Sequence, residues 1–301
     1  MEVMASGLLI PEGPVVLSDG SALVVEVGAG RLSRVWPDRR VALVADLGGG
    51  PNGAAVGPDG AVYVCNNGGG FDCALNDGHL QIGFAPERRV AGSIQRVDLA
   101  SGAATRLYTH CDGHPLLAPN DIVFDGDGGF WFTDHGTSAP DAKTYGGLYY
   151  ALPDGSAIRR VRAGLLSPNG IGLSPDGHWL YWADTLSARL WRAAIVAPGC
   201  LADHGGAPGE VVATAPGHIM LDSLAVEADG RVCIGSIIRG GITVVDPGNG
   251  TCDHVPIDDA MVTNIGFGGA DGRDVWITAA GGGRLLRGRW PRPGLPLAFA
   301  A

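Results

Sequence analysis

The chain has 301 residues and a formal charge of −10, from 21 basic and 31 acidic side chains, with Lys143 its one lysine. No basic stripe is present for nucleic acid or an anionic membrane to grip, and 46% hydrophobic residues against 17% charged ones exclude a disordered polyelectrolyte. The 50 glycines and 20 prolines fall between short apolar runs, which reads as many turns joining many short strands.

The opening MEVMASGLLI lacks a basic n-region and a long apolar h-region, and no run of 18 or more apolar residues follows. The expectation is a cytoplasmic protein without a membrane span. Its six cysteines form no CxxC pair or metal-finger spacing and are expected to stay reduced, Cys65 and Cys73 alone being close enough in sequence to raise a disulfide.

From Pro11 onward one phrase recurs six times: PEGPVVLSDGSALVVEV, PNGAAVGPDGAVYVCNN from Pro51, PNDIVFDGDGGFWFTDH from Pro119, PNGIGLSPDGHWLYWAD from Pro168, LDSLAVEADGRVCIGSI from Leu221 and TNIGFGGADGRDVWITA from Thr263. Each copy is an alternating run, an Asp-Gly or equivalent turn and a second β-rich run, which is hairpin grammar. A third and a fourth run follow most copies, such as GRLSRVW with VALVADL and GSIQRVD with ATRLYTH. Four strands per unit, six units and intervals of 40 to 68 residues predict an all-β, six-bladed β-propeller with four antiparallel strands per blade. A β-sandwich or a pair of barrels would not require six in-phase copies.

The sixth unit has only RLLRGRW after its hairpin, whereas EVMASGLLI near the N-terminus parallels RRVRAGLLS at 159–167. The last blade is therefore expected to be closed by the N-terminal strand, which leaves no open sheet edge. One domain spans 1–301. The longest insertion, about 68–92 in the second unit, carries Phe71, Leu80, Ile82 and Phe84 and is expected to be a lid over the channel mouth. A packing flap or dimer contact is the alternative, and monomer and homodimer both stay open.

The position that begins each innermost strand reads Glu12, Asn52, Asn120, Asn169, Asp222 and Asn264. Asn and Asp commonly just start turns. Six oxygen-bearing side chains in phase at the mouth of one channel point instead to a hard divalent cation, and the lack of His and Cys among them argues against zinc or copper as the preferred ion. At the ends of second strands, His135, Asn66, Asn67 and Ser236 are placed to line the pocket, with Tyr145 from a shorter insertion beside them. His135 is otherwise a surface or packing residue. No GxSxG elbow, P-loop or dinucleotide fingerprint is present, so nucleophilic serine chemistry and nucleotide use are not expected.

The EGP at Glu12–Pro14, PNDIVFDGDGGFWFTDHG at 119–136, SPNGIGLSPDG at 167–177 and LDSLAVEADG from Leu221 resemble the SMP-30/gluconolactonase/luciferin-regenerating-enzyme family, over essentially the whole chain. The resemblance implies one divalent cation, calcium first with zinc, manganese or magnesium as alternatives, held by Glu12, Asn169 and Asp222. Asn120 would complete its coordination or contact substrate. It also implies hydrolysis of a small-molecule lactone, a sugar lactone or related cyclic ester, with Asp222 as the candidate general base. Phosphotriester hydrolysis on the same metal, or a non-catalytic calcium-binding propeller, are the rival readings. Several sugar-lactone hydrolases of this family have an Arg two residues before the PND-type Asn. Here that position is Ala118, which leaves room for a less polar lactone.

Overall fold

The computed structural model describes residues 1–139 and 141–300. The first four-stranded sheet is Pro11–Val16, Ala22–Glu26, Arg31–Val35 and Val41–Asp46, and the second Pro51–Val56, Val62–Asn66, Ser93–Val97 and Ala104–Tyr108. Pro119–Phe124, Phe130–Asp134, Gly146–Ala151 and Ile158–Leu165 make the third. The fourth runs Pro168–Leu173, Trp179–Asp184, Arg189–Ala197 and Glu210–Thr214, with a short extra strand, Cys200–Leu201. The fifth is Met220–Val226, Val232–Ile237, Ile242–Asp246 and Thr251–Val255. In the sixth, Val262–Gly268, Asp274–Ala279 and Arg284–Arg289 are completed by Glu2–Ala5, which pairs antiparallel with Arg284–Arg289. The first strand of each sheet touches the first strands of its two neighbours, so the sheets are six blades around one channel and the N-terminal strand closes the ring.

In blades 1, 2, 3 and 5 the Asp-Gly turn closes a three-residue loop. In blade 1, Leu17 N–H donates to the Ser21 carbonyl at 2.8 Å, Gly20 adopts φ +81°, and the Asp19 carboxylate accepts from Ser21 N–H at 3.0 Å. This is the hairpin geometry that needs a left-handed residue in third place, and Gly supplies it without a Cβ clash. Between blades the core is aromatic and aliphatic: Trp131, Trp182, Trp276, Tyr63 and Phe130 are fully buried, each such side chain worth about 1.5–3 kcal/mol of burial. Tyr63 and Phe124 meet edge to face across blades 2 and 3, centroids 5.1 Å apart.

The channel has two different ends. At the Pro11, Pro51, Pro119 and Pro168 end the strands enter. The other half is a cavity of about 280 Å³ lined by apolar side chains such as Val15, Val56, Ile122, Phe124, Leu224 and Val226, and residues Leu295–Phe299 cover it. That tail is pinned by Trp290 Nε1 donating to Glu227 Oε1 at 2.6 Å, by Arg292 on the same carboxylate, and by Leu295 N–H donating to the Val226 carbonyl at 2.8 Å. Phe299 rests edge-on against Phe124 at 5.6 Å. Glu227 is fully buried while Arg292 is partly exposed. Arg292→Ala should therefore cost about 2 kcal/mol in urea unfolding and expose residues 293–300 to limited proteolysis. An unchanged midpoint and digestion pattern would show that the tail is held without this pair.

Candidate active site

At the entry end every innermost strand breaks register with its partner near the ring position: between Glu12 and Val15, Pro51 and Ala54, Pro119 and Ile122, Pro168 and Ile171, and Leu221 and Leu224, and in blade 6 just before Asn264, between Val262 and Asn264. A bulge turns the strand there, so residues just inside the mouth face the axis rather than alternating across the sheet. Gly13 shows why the copy reads EGP. Its φ is +50°, and a Cβ would lie 2.5 Å from the Asn52 carbonyl oxygen of the next blade. Of the six ring positions, Glu12, Asn120, Asn169, Asp222 and Asn264 are buried and Asn52 is half-buried.

Glu12 Oε2 accepts from its neighbour Gly13 N–H at 2.7 Å and from Asn264 Nδ2 at 2.9 Å, the latter joining blades 1 and 6. Blades 3 and 4 are joined by Thr133, whose hydroxyl accepts from Asp121 N–H at 3.0 Å and donates to the Asn169 carbonyl at 2.6 Å. The carboxyls are strongly perturbed. Burial pushes Glu12 up to about 7, against the hydrogen bonds it accepts. Burial, then the charge of Glu12, pushes Asp121 up to about 8 and holds Asp222 well above the ordinary carboxylate range. Three buried acids thus lie in one another's electrostatic field inside the channel.

Asp121 escapes a reading of the sequence that follows the ring position alone. Its counterparts one residue past that position are Gly13, Gly53, Gly170, Ser223 and Ile265, so it is the one acid in that row. Its side chain crosses toward blade 2, where a Cβ on Gly53 would sit 2.5 Å from Asp121 Oδ1, and its other oxygen accepts from Ile171 N–H of blade 4 at 3.4 Å.

The strand-end residues divide differently from expectation. Asn66 is fully engaged in holding the crossing between blades. Its Oδ1 accepts from Gly50 and Gly68 N–H at 2.9 and 3.0 Å, and its Nδ2 donates to the Gly48 carbonyl at 2.8 Å and to Gln95. Asp134 and Asp184 do the same work in blades 3 and 4, the former taking Leu117, Ala118 and Gly136 N–H groups. Asn66 is thus a fastener with no amide group left over for a ligand. Asn67 Oδ1 accepts from Gly69 N–H at 2.9 Å, and Ser236 is buried against Thr243 at 2.8 Å. Tyr145 is 57% exposed after the hairpin built from Thr137–Ala139 and Ala142–Thr144. His135 is half-buried beside the Asn120 strand, its N–H donating to the Ala118 carbonyl at 2.9 Å while Lys143 Nζ caps its own carbonyl at 3.0 Å. Burial, helped by the Lys143 charge, lowers its imidazole to about 4, so it is neutral at neutral pH.

The insertion forms a hairpin, Phe71–Asn76 with His79–Phe84, and does not stay over its own blade. Phe71, Cys73 and Leu80 pack on Ile10 and Val27 of blade 1 and on Met261 and Ala280 of blade 6, beside the strand that carries Glu12. Cys73 and the other five cysteines are free thiols.

The donor chemistry suits a hard divalent cation. It is made of oxygens only, and Asn120 Oδ1 and Asn52 Oδ1 are buried without a hydrogen-bond partner among the described residues. No group of three or more His, Cys, Asp or Glu among the described residues could hold a metal ion by itself, so amide oxygens would have to complete the shell.

Residues 10–281 match the SMP-30/Gluconolactonase/LRE-like region. The chain belongs to this family. Among SMP-30/gluconolactonase relatives, a gluconolactonase of Zymomonas mobilis is 28% identical over 214 residues, which is 64% of this chain and 54% of that protein. The chain thus spans about half the length of that relative. The protein named lactonase drp35 of Staphylococcus saprophyticus is 28% identical over 81% of this chain and 68% of its own length. Solved structures share the fold. A gluconolactonase from Xanthomonas campestris superposes with TM-score 0.75 at 24% identity, covering 96% of this chain and 89% of that one. A calcium-binding regucalcin from Agrobacterium tumefaciens superposes with TM-score 0.72 at 19% identity, covering 98% and 97%. Among the described residues no helix is long and apolar enough to cross a membrane.

Proposed function

We propose that the chain is a lactone hydrolase that holds one divalent cation, calcium in the first place, between Glu12, Asn169 and Asp222, with Asn120 facing the same point. The observation that carries this reading is the set of buried acids in one another's field, with unpartnered amide oxygens on the same innermost strands, in a propeller whose relatives include named lactonases. A bound cation supplies Lewis acidity toward a carbonyl oxygen and lowers the pKa of nearby water. Asp222 receives the proton as water adds to the lactone carbonyl, since its carboxyl is the buried ring acid facing both Glu12 and Asn169. Neutral His135 offers a hydrogen bond at the rim without competing for that proton. Ala118, in place of an arginine that could bind sugar hydroxyls, favours a less polar lactone over a fully hydroxylated sugar ring. Six free thiols fit a reducing compartment such as the cytoplasm.

The test is acid release from a panel of sugar and aliphatic lactones by metal-stripped protein resupplied with Ca²⁺, Mg²⁺, Mn²⁺ or Zn²⁺. Metal-restored acid production, faster on aliphatic lactones, is the expected result. Silence across the panel with turnover of a phosphotriester would move the assignment to that chemistry. Silence on both, with metal bound, would make the ring a binding protein.

A further inference from the structure

We propose that Thr185 is a positioning residue that fixes which end of the Asn169 amide faces the cation, an inference that rests on the cation reading above. An amide has one end fit for a cation and one that repels it, and the two are nearly isosteric. The choice between them must come from a neighbour. Asn169 Nδ2 donates to Thr185 Oγ1 at 3.0 Å, both side chains being buried, while Asn169 Oδ1 stands 3.4 Å from Ser223 Oγ on blade 5. The carboxyl of Asp222 also draws on this amide. Two acceptors therefore compete for the nitrogen. Thr185 holds it to the blade 4 side. Without the hydroxyl, only the Asp222 carboxyl is left to attract it, and the N–H₂ end would be pulled into the place of the cation.

Thr185 is built to resist that pull. Its N–H donates to the Ser167 carbonyl at 3.0 Å, directly across the blade crossing. The preceding residue, Asp184, grips the same crossing by accepting from Ser167 N–H and Oγ and from Ser187 N–H and Oγ, at 2.7 to 3.0 Å. A β-branched side chain on so fixed a backbone has little rotamer freedom. The main chain of Asn169 is held separately by Thr133, so Thr185 is left with one task, the direction of the amide.

The experiment compares wild type, Thr185→Val, which keeps the shape and loses the acceptor, and Thr185→Ser, which keeps the acceptor. Mn²⁺ affinity of metal-stripped protein is measured with Mn²⁺ alone, and turnover is measured as a function of Mn²⁺. In parallel, solvent exchange of the Asn169 side-chain amide protons is followed by NMR without metal. Thr185→Val should bind Mn²⁺ about 10–100-fold more weakly, recover most of its kcat at saturating Mn²⁺, and show fast amide exchange, while Thr185→Ser stays close to wild type in all three. Wild-type Mn²⁺ affinity and protected amide protons in Thr185→Val would overturn the proposal, as would Thr185→Ser behaving like Thr185→Val. If wild type itself binds no Mn²⁺, the cation reading fails. The metal-free amide exchange then decides the role of Thr185 alone. Should Thr185→Val melt early, Thr185→Ser against wild-type amide protection still gives the answer.

Discussion

Asp222→Asn will lower lactone turnover by at least about a thousandfold while raising the melting temperature of the metal-free protein. The two effects have one cause. Asp222 is a buried carboxyl that lies in the field of Glu12 and Asp121, so in the absence of a cation the fold must keep it protonated at a pH where the unfolded chain ionises it. The amide removes that cost without changing the shape, so the ring relaxes. It also removes the proton acceptor and one of two anionic ligands, so added Ca²⁺ should no longer raise the melting temperature as it does in wild type. Calorimetry with and without metal, beside the lactone assay, separates this from simple misfolding. A variant that loses stability together with activity, or that keeps its metal-dependent stabilisation, would show that Asp222 is a packing residue.

The metal-free protein should grow less stable from about pH 4.5 to pH 8, and the cation should reverse that trend. Glu12 and Asp121 have their carboxyls raised to about 7 and about 8 in the folded chain, against ordinary values of 4.5 and 3.8. Through that window the folded molecule keeps protons that the unfolded chain has released. Stability is thus fully present below the unfolded values and is lost as pH rises through the folded ones. Summed over the acids this amounts to several kcal/mol, or roughly 10 °C in melting temperature for a chain of this size. A cation must displace the same protons, so its affinity should climb about tenfold to a hundredfold per pH unit below 7, and loaded protein should be most stable above neutrality. His135, lowered to about 4 against an ordinary 6.5, works the other way between those two values, where the unfolded chain holds the extra proton; the raised acids outnumber it there, and above about pH 7 it adds nothing. Melting curves with and without Ca²⁺ at pH 5, 6, 7 and 8 check this. Parallel curves would mean that the acids do not share a site with the ion.

Much of this was legible in the chain itself. Six in-phase hairpins, the missing fourth run after RLLRGRW and the spare run EVMASGLLI specify a closed six-bladed ring, because strand pattern and turn chemistry are local properties. The ring of oxygen-bearing residues follows from the same phase. Asp121 did not follow, because β alternation sends neighbours to opposite faces, whereas a bulge turns Asn120 and Asp121 both toward the axis. Asn66 misled for a different reason. An amide that fastens a loop and an amide that waits for a ligand have the same chemistry, and only the positions of Gly48, Gly50 and Gly68 tell them apart. The reach of the 68–92 insertion to Ile10 and Ala280 is likewise a fact of closure, which joins residues remote in the chain.

That closure also sets a timetable. Glu2–Ala5 pairs with Arg284–Arg289, so on a ribosome the N-terminal strand waits while some 280 residues are added, roughly a quarter of a minute to a minute at ordinary elongation rates. Until then blade 1 has no sixth blade beside it, and Glu12 has no Asn264, its hydrogen-bond partner 252 residues downstream. Of that pair the carboxylate, made first, is therefore given its place by a segment made 252 residues later.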